Sequence, residues 1–256
     1  MDPYPFILSL LEDAGKLLLE LRGQSFITAI KNNDPRDIVT SVDLALNTFM
    51  SDRIRAAFPE DELHSEENVA NAQGSRIWTI DPIDGSSNFS RGIPHFAICL
   101  GISVDGTPQA GGVYNPITRE LFSFAKGDGA FLNGAPLRVS DVQSLDQASV
   151  LFHAGRKLEL QEWGGAGYRT LLTHAKKTAN FGSTALDTCF VAAGRVEASV
   201  YGTMSTLDIA PAIGILTEAG GMMLDASGDP VRYLRAAQMT YAVCNRELFT
   251  VLRKVL

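Results

Sequence analysis

The stretch Trp78-Thr79-Ile80-Asp81-Pro82-Ile83-Asp84-Gly85-Ser86-Ser87-Asn88-Phe89 constrains this chain more than any other. A strand-like apolar run delivers Asp81 to its end, and Pro82 fixes the backbone angle just after it. Two carboxylates held so close repel, unless one stays protonated or a cation lies between them. Gly85 then turns the chain, and Ser86 and Ser87 are placed to open a helix whose first N–H groups point towards an anion. The fold must bring a strand end, a turn and a helix start to one place. It must also supply something for the carboxylates to act on.

Composition limits what that can be. With 256 residues, 45% of them hydrophobic, the chain can bury a sizeable core as one large domain or two small ones. A net charge of -7 and the lack of any Lys/Arg cluster exclude a nucleic-acid footprint. Cys99, Cys189 and Cys244 are far apart in apolar contexts, which predicts buried reduced thiols and a reducing, cytoplasmic setting. His64, His95, His153 and His174 show no metal-ligand spacing, so zinc is disfavoured and they are expected in the core, on the surface or behind a site. Glu12 and Asp13 interrupt the first apolar run, which therefore reads as an amphipathic helix and not a signal peptide. No apolar stretch is long enough to span a bilayer, so no membrane partner is expected.

Leu10, Leu11, Ala14, Leu17, Leu18 and Leu21 keep helical spacing up to Gly23. A second helix is predicted after a Thr40 cap, with Val42, Leu46, Phe49, Met50 and Ala57 on one face, ending before Pro59. Residues 95–134 read as strands broken by Asp-Gly and Asn-Pro turns. A helix over 185–193 closed by Gly194, a strand over 196–202, a helix from Leu207 to Gly220 and Gly221, a strand near Tyr241 and a helix from Arg246 complete the pattern. This order predicts a single domain of two halves. The first, about 1–140, is α+β and carries most of the acids; the second, about 141–256, is α/β, and the two share a cleft.

The acids that stand out are Asp43, Glu66 with Glu67, Asp81 with Asp84, and Asp208. Asp43 follows Thr40, and Asp208 follows Ser205, at capping-box spacing, so each has a purely structural alternative. Glu66 and Glu67 could form a solvated turn. Asp81 is harder to explain that way, because it follows a strand where no helix end needs it. Two aspartates, a glutamate and a turn carbonyl such as that of Ile83 suit Mg²⁺, which takes hard oxygen ligands. Gly182, Ser183 and Thr184 repeat the glycine-hydroxyl helix start of Gly85 and Ser86, a second candidate anion cradle that simple N-capping would also explain. Metal-holding acids beside such cradles point to phosphoryl chemistry.

Taken in order, Asp37 to Asp43, Ser65 to Asn68, Trp78 to Phe89, Gly129 to Gly134 and Leu207 to Gly221 resemble the inositol monophosphatase family, lithium-sensitive Mg²⁺-dependent phosphatases. The resemblance implies a layered αβαβα sandwich, a small phosphorylated metabolite as substrate and a homodimer. It also implies two or three Mg²⁺ ions on Glu66, Asp81, the Ile83 carbonyl, Asp84 and Asp208. A catalytic set of Asp43, Ser86 and Glu66 follows, in which the Ser86–Asp43 pair activates the attacking water without a covalent intermediate. Asp84, Gly85, Ser86, Ser183, Thr184, Tyr201 and Asp208 are the implied substrate-binding residues. Fructose-1,6-bisphosphatase, histidinol-phosphate phosphatase and 3′-phosphonucleotidase activities are alternatives, with a non-catalytic metal-binding regulator behind them. The chain departs from the family pattern at Ser86, where the family has threonine, at Ser65 for glycine and at Leu207 for tryptophan. Tyr201 stands where the inositol enzymes carry a glutamate that grips a substrate hydroxyl. A weaker preference for inositol phosphate is therefore expected.

Overall fold

The computed structural model describes residues 1–22, 28–30, 38–65, 74–155, 160–205, 209–231 and 236–256. The chain opens with α1 (Pro3–Arg22), whose Ile7, Leu10, Leu11, Ala14 and Leu18 are buried at helical spacing. A short antiparallel pair, β1 (Thr28–Ile30) and β2 (Ile38–Thr40), leads into α2 (Ser41–Ala57), capped by Thr40. Next come β3 (Glu62–Ser65) and β4 (Arg76–Asp84), a five-residue α3 (Ser86–Ser90), and β5 (Ala97–Val104). Four more strands follow: β6 (Thr107–Asn115), β7 (Glu120–Ala125), β8 (Gly129–Leu132) and β9 (Ala135–Pro136). Strands β3 to β9 form a seven-stranded mixed sheet in sequence order, with only β3 and β4 parallel.

The rest of the chain builds a second sheet. Its elements are β10 (Ser149–His153), α4 (Gln161–His174), β11 (Lys177–Ala179), α5 (Thr184–Ala192) and β12 (Ala198–Ser205). They continue with α6 (Ala210–Glu218), β13 (Met222–Leu224), β14 (Ala236–Val243) and α7 (Arg246–Val255). The sheet order is β11-β10-β12-β14-β13, with β10 parallel to β11 and β12 and the other pairs antiparallel.

Period-two alternation in the central strands separates two cores. Ile98, Leu100 and Ile102 of β5 face α1 and α2, while Ala97 and Cys99 face the opposite side with α5, α6 and the five-stranded sheet. The layers therefore run helices, sheet, helices, sheet, helices: α1 and α2, the seven-stranded sheet, α5 and α6, the five-stranded sheet, and α4 and α7. This is the αβαβα sandwich that the family resemblance implies. The middle helix layer is buried on both sides, and seven consecutive residues of α6, Ala210 to Leu216, are buried. Small residues let it approach, since a Cβ on Gly214 would stand 2.1 Å from the Phe124 ring and one on Gly111 2.7 Å from Pro211. Cys99, Cys189 and Cys244 are buried thiols, as their apolar contexts predict. No described helix is long and apolar enough to cross a membrane.

Candidate active site

Strand β4 is buried from Ile77 onwards, which carries Asp81 and Asp84 into the interior at 4% and 9% exposure. Pairing with β5 slips between Asp81 and Asp84, and Pro82, which has no N–H to donate, lies in that irregularity. Asp81 Oδ1 accepts the Ile83 amide at 3.0 Å, folding the strand end into a turn. Gly85 follows with φ at +91°, and a Cβ there would stand 3.2 Å from the carbonyl oxygens of Gly182 and His95. Only glycine makes this turn without strain.

Ser86 begins α3 and points its hydroxyl back into the site, 2.8 Å from the Ile83 carbonyl and 3.2 Å from Asp43 Oδ1. Asp43 meets it from the first turn of α2 and is fully buried. Its other oxygen, Oδ2, accepts the Thr40 amide at 2.9 Å and the Thr40 hydroxyl, while Thr40 Oγ1 accepts the Asp43 amide at 3.3 Å. Asp43 therefore meets both Thr40 and Ser86. One oxygen serves the capping box, and the other faces Ser86.

Asp84 reaches across to α5. Its carboxylate accepts the Ser183 hydroxyl, the Thr184 amide at 3.2 Å and the Ala185 amide at 2.9 Å. The donors expected to cradle a substrate anion at Ser183 and Thr184 are thus directed here at a carboxylate of the chain itself. Burial pushes the Asp84 carboxyl up to about 6; the Ser183 and amide bonds pull it down, and the charge of Asp187 adds to the rise. Two buried carboxylates one turn apart, one of them destabilised as an anion, form a hard-oxygen donor pair that fits a divalent cation. Glu66, Glu67 and Asp208 lie outside the described residues. Among the described residues no cluster of three or more His, Cys, Asp or Glu is arranged to hold a metal.

Tyr201 corrects an expectation. It is 1% exposed, with its hydroxyl 3.0 Å from Thr188 Oγ1 and 3.2 Å from the Thr184 carbonyl. It lies beneath α5 with its polar end already engaged, so it offers a ligand no free phenolic hydroxyl. A feature that the sequence did not announce covers it: His153 stacks on the Tyr201 ring, centroids 5.1 Å apart and 19° from parallel. Both His153 and His95 meet the buried carboxylate of Asp187. These three residues come from segments far apart in sequence, and no local spacing could have linked them.

The layered fold, with buried carboxylates and a hydroxyl–carboxylate pair at a helix start, defines a phosphoric monoester hydrolase of the αβαβα type. A model of the inositol monophosphatase family matches residues 4–254, and the chain belongs to that family. It is 34% identical over 228 residues, 89% of this chain and 86% of the relative, to a fructose-1,6-bisphosphatase/inositol-1-monophosphatase of Thermotoga maritima. It is 35% identical over 206 residues, 78% of this chain and 76% of the relative, to the Nus factor SuhB of Pasteurella multocida. Among solved structures it resembles the IMPase of Thermotoga maritima with a TM-score of 0.90 and 31% identity, covering 100% of this chain and 96% of that one.

Proposed function

We propose that this phosphatase acts on a small phosphorylated sugar or inositol, by in-line attack of water and without a covalent intermediate. The observation that carries the reading is the Ser86 hydroxyl, set between Asp43 Oδ1 and the Ile83 carbonyl at the turn that follows Asp81 and Asp84. A hydroxyl has one proton to give and lone pairs to receive, so while it donates to Asp43 it can accept from a water and orient it. Asp43 takes up the released charge at Oδ1 without moving, because Oδ2 stays bonded to Thr40. Glu66, Asp81, the Ile83 carbonyl, Asp84 and Asp208 are the residues that would hold Mg²⁺, two or three ions to a site. Bound Mg²⁺ supplies charge neutralisation and lowers the pKa of water. The turn at Gly85 and Ser86 is the proposed phosphate cradle, and the α5 start at Ser183 and Thr184, bonded to Asp84, stands beside it as the further substrate-binding segment. The dual name of the Thermotoga maritima relative supports a sugar or inositol leaving group. Family membership also supports a homodimer, cytoplasmic residence and inhibition by lithium.

The test is phosphate release from a panel of inositol, sugar, glycerol, amino-alcohol and nucleotide phosphomonoesters, with Mg²⁺ and with excess EDTA. Turnover of a sugar or inositol phosphate that stops in EDTA is the expected result. Undiminished turnover in EDTA, or a preference for nucleotide phosphates, overturns the reading.

A further inference from the structure

Asp187 takes no part in the chemistry above, yet its carboxylate is buried one turn inside α5, where an unpaired charge is costly. It is held on both sides by imidazoles from separate parts of the fold. Nε2 of His95, from the turn that leads into β5 of the seven-stranded sheet, is hydrogen-bonded to Oδ1 at 2.8 Å. Nε2 of His153, at the end of β10 in the five-stranded sheet, lies 2.8 Å from Oδ2; the atoms are at ion-pair distance, but the contact is not in line with a ring N–H. Each ring is itself braced. His95 stands edge-on to Phe181 and Phe190 at 5.4 and 5.5 Å, and its carbonyl accepts Asn88 Nδ2, which also bonds the Phe181 carbonyl. His153 lies flat on Tyr201, whose hydroxyl returns to Thr184 and Thr188 of the same helix.

The Asp187 amide donates to the Ser183 carbonyl at 2.9 Å, so this carboxylate belongs to the turn that presents Ser183 Oγ and the Thr184 and Ala185 amides to Asp84. Through this helix turn the Asp187 carboxylate is linked to His95 on one side and lies against His153 on the other. We propose that Asp187, joined to His95 and His153, is a positioning residue that holds the first turn of α5 against Asp84 and so sets how well the site around Asp84 receives a phosphate. The proposal rests on the phosphatase reading. It does not require Asp187 to touch substrate.

A side chain that merely supports the fold lowers the amount of active protein, and hence apparent kcat, while leaving KM alone. A positioning residue moves KM and the inhibition constant of inorganic phosphate together. Asp187→Ala is expected to raise both by about tenfold, the scale of one charged hydrogen bond, with kcat changed by less than about threefold. Asp187→Asn should restore most of the loss, because the amide oxygen can still accept from His95. The double variant Asp187→Ala/His153→Ala should be no worse than Asp187→Ala, since both act through one joint. Unchanged KM and phosphate inhibition in Asp187→Ala, or additive losses in the double variant, overturn the proposal. If Asp187→Ala fails to fold, His153→Ala alone must raise both constants, and unchanged values there overturn it equally.

Imidazole ¹H–¹⁵N spectra of the metal-free protein test the joint independently of turnover. One slowly exchanging ring N–H, absent in His95→Gln and lost in Asp187→Ala, is expected, and its absence from the wild type sinks the proposal. A wild type that hydrolyses none of the panel overturns the phosphatase reading instead, and the imidazole spectrum still decides the joint.

Discussion

At 9% exposure the Asp84 carboxyl accepts a hydroxyl and two amides, yet burial outweighs those bonds and the charge of Asp187 adds to it, so the pKa rises from 3.8 to about 6. The folded metal-free protein therefore keeps a proton that the unfolded chain has already released. Asp84 contributes stability that is complete below about pH 4 and lost as pH rises through about 6. A rise of about two pKa units corresponds to at most about 3 kcal/mol, withdrawn by neutral pH. In EDTA at pH 7.5, Asp84→Asn should thus melt several degrees above the wild type while releasing no phosphate. A wild type that melts at or above the variant contradicts this. Ser86 and Asp43 separate differently. Ser86→Ala leaves the Thr40–Asp43 cap intact, so Tm should hold while kcat falls by about a hundredfold or more, the usual scale of general-base assistance. Asp43→Asn disturbs the cap as well, and should lose about 1 kcal/mol of stability on top of the same fall in kcat. Ser86→Ala at wild-type kcat would return Asp43 to a purely capping role.

The buried layer of α5 and α6 sets the tolerance of the elements. Adding one methyl at Gly214 places a carbon 2.1 Å from the Phe124 ring, whose neighbours on β6 and α6 are themselves packed. Gly214→Ala should therefore destabilise by about 1–3 kcal/mol, read as a lower urea midpoint, whereas Gly106→Ala, whose Cβ meets nothing, should cost only the strain of its positive φ. Equal midpoints for the two variants would refute the close-approach argument. The helices with strong local signals were legible: α1 from its apolar spacing and α2 from its Thr40 cap. Helix α4 was not, because Gly164, Gly165 and Gly167 break the apolar pattern that marks a helix. Within the site, the strand-turn-helix run from Trp78 to Ser90 is local and was readable as such. Where Tyr201 points, and the meeting of His95 and His153 on Asp187, depend on which strands become neighbours in the sandwich. Periodicity carries no information about that.

Across the whole molecule, one face of the seven-stranded sheet makes a core with α1 and α2, and the other makes a core with α5, α6 and the five-stranded sheet. Asp84 ends β4, and its bonds to Ser183, Thr184 and Ala185 tie that strand to the helix that carries Asp187. A cation that binds only the folded chain adds stability by mass action, about 2.7 kcal/mol at a hundred times its Kd. For a chain of 256 residues that is a Tm rise of roughly 5–10 °C. Mg²⁺ should therefore raise the wild-type Tm with a midpoint that matches the Mg²⁺ concentration giving half-maximal phosphate release. Asp84→Asn removes the charge that attracts the ion, so its Tm, higher in EDTA, should rise much less as Mg²⁺ is added, and the two melting curves should converge. Two curves that stay parallel across the titration would mean that Asp84 does not contribute to holding the metal.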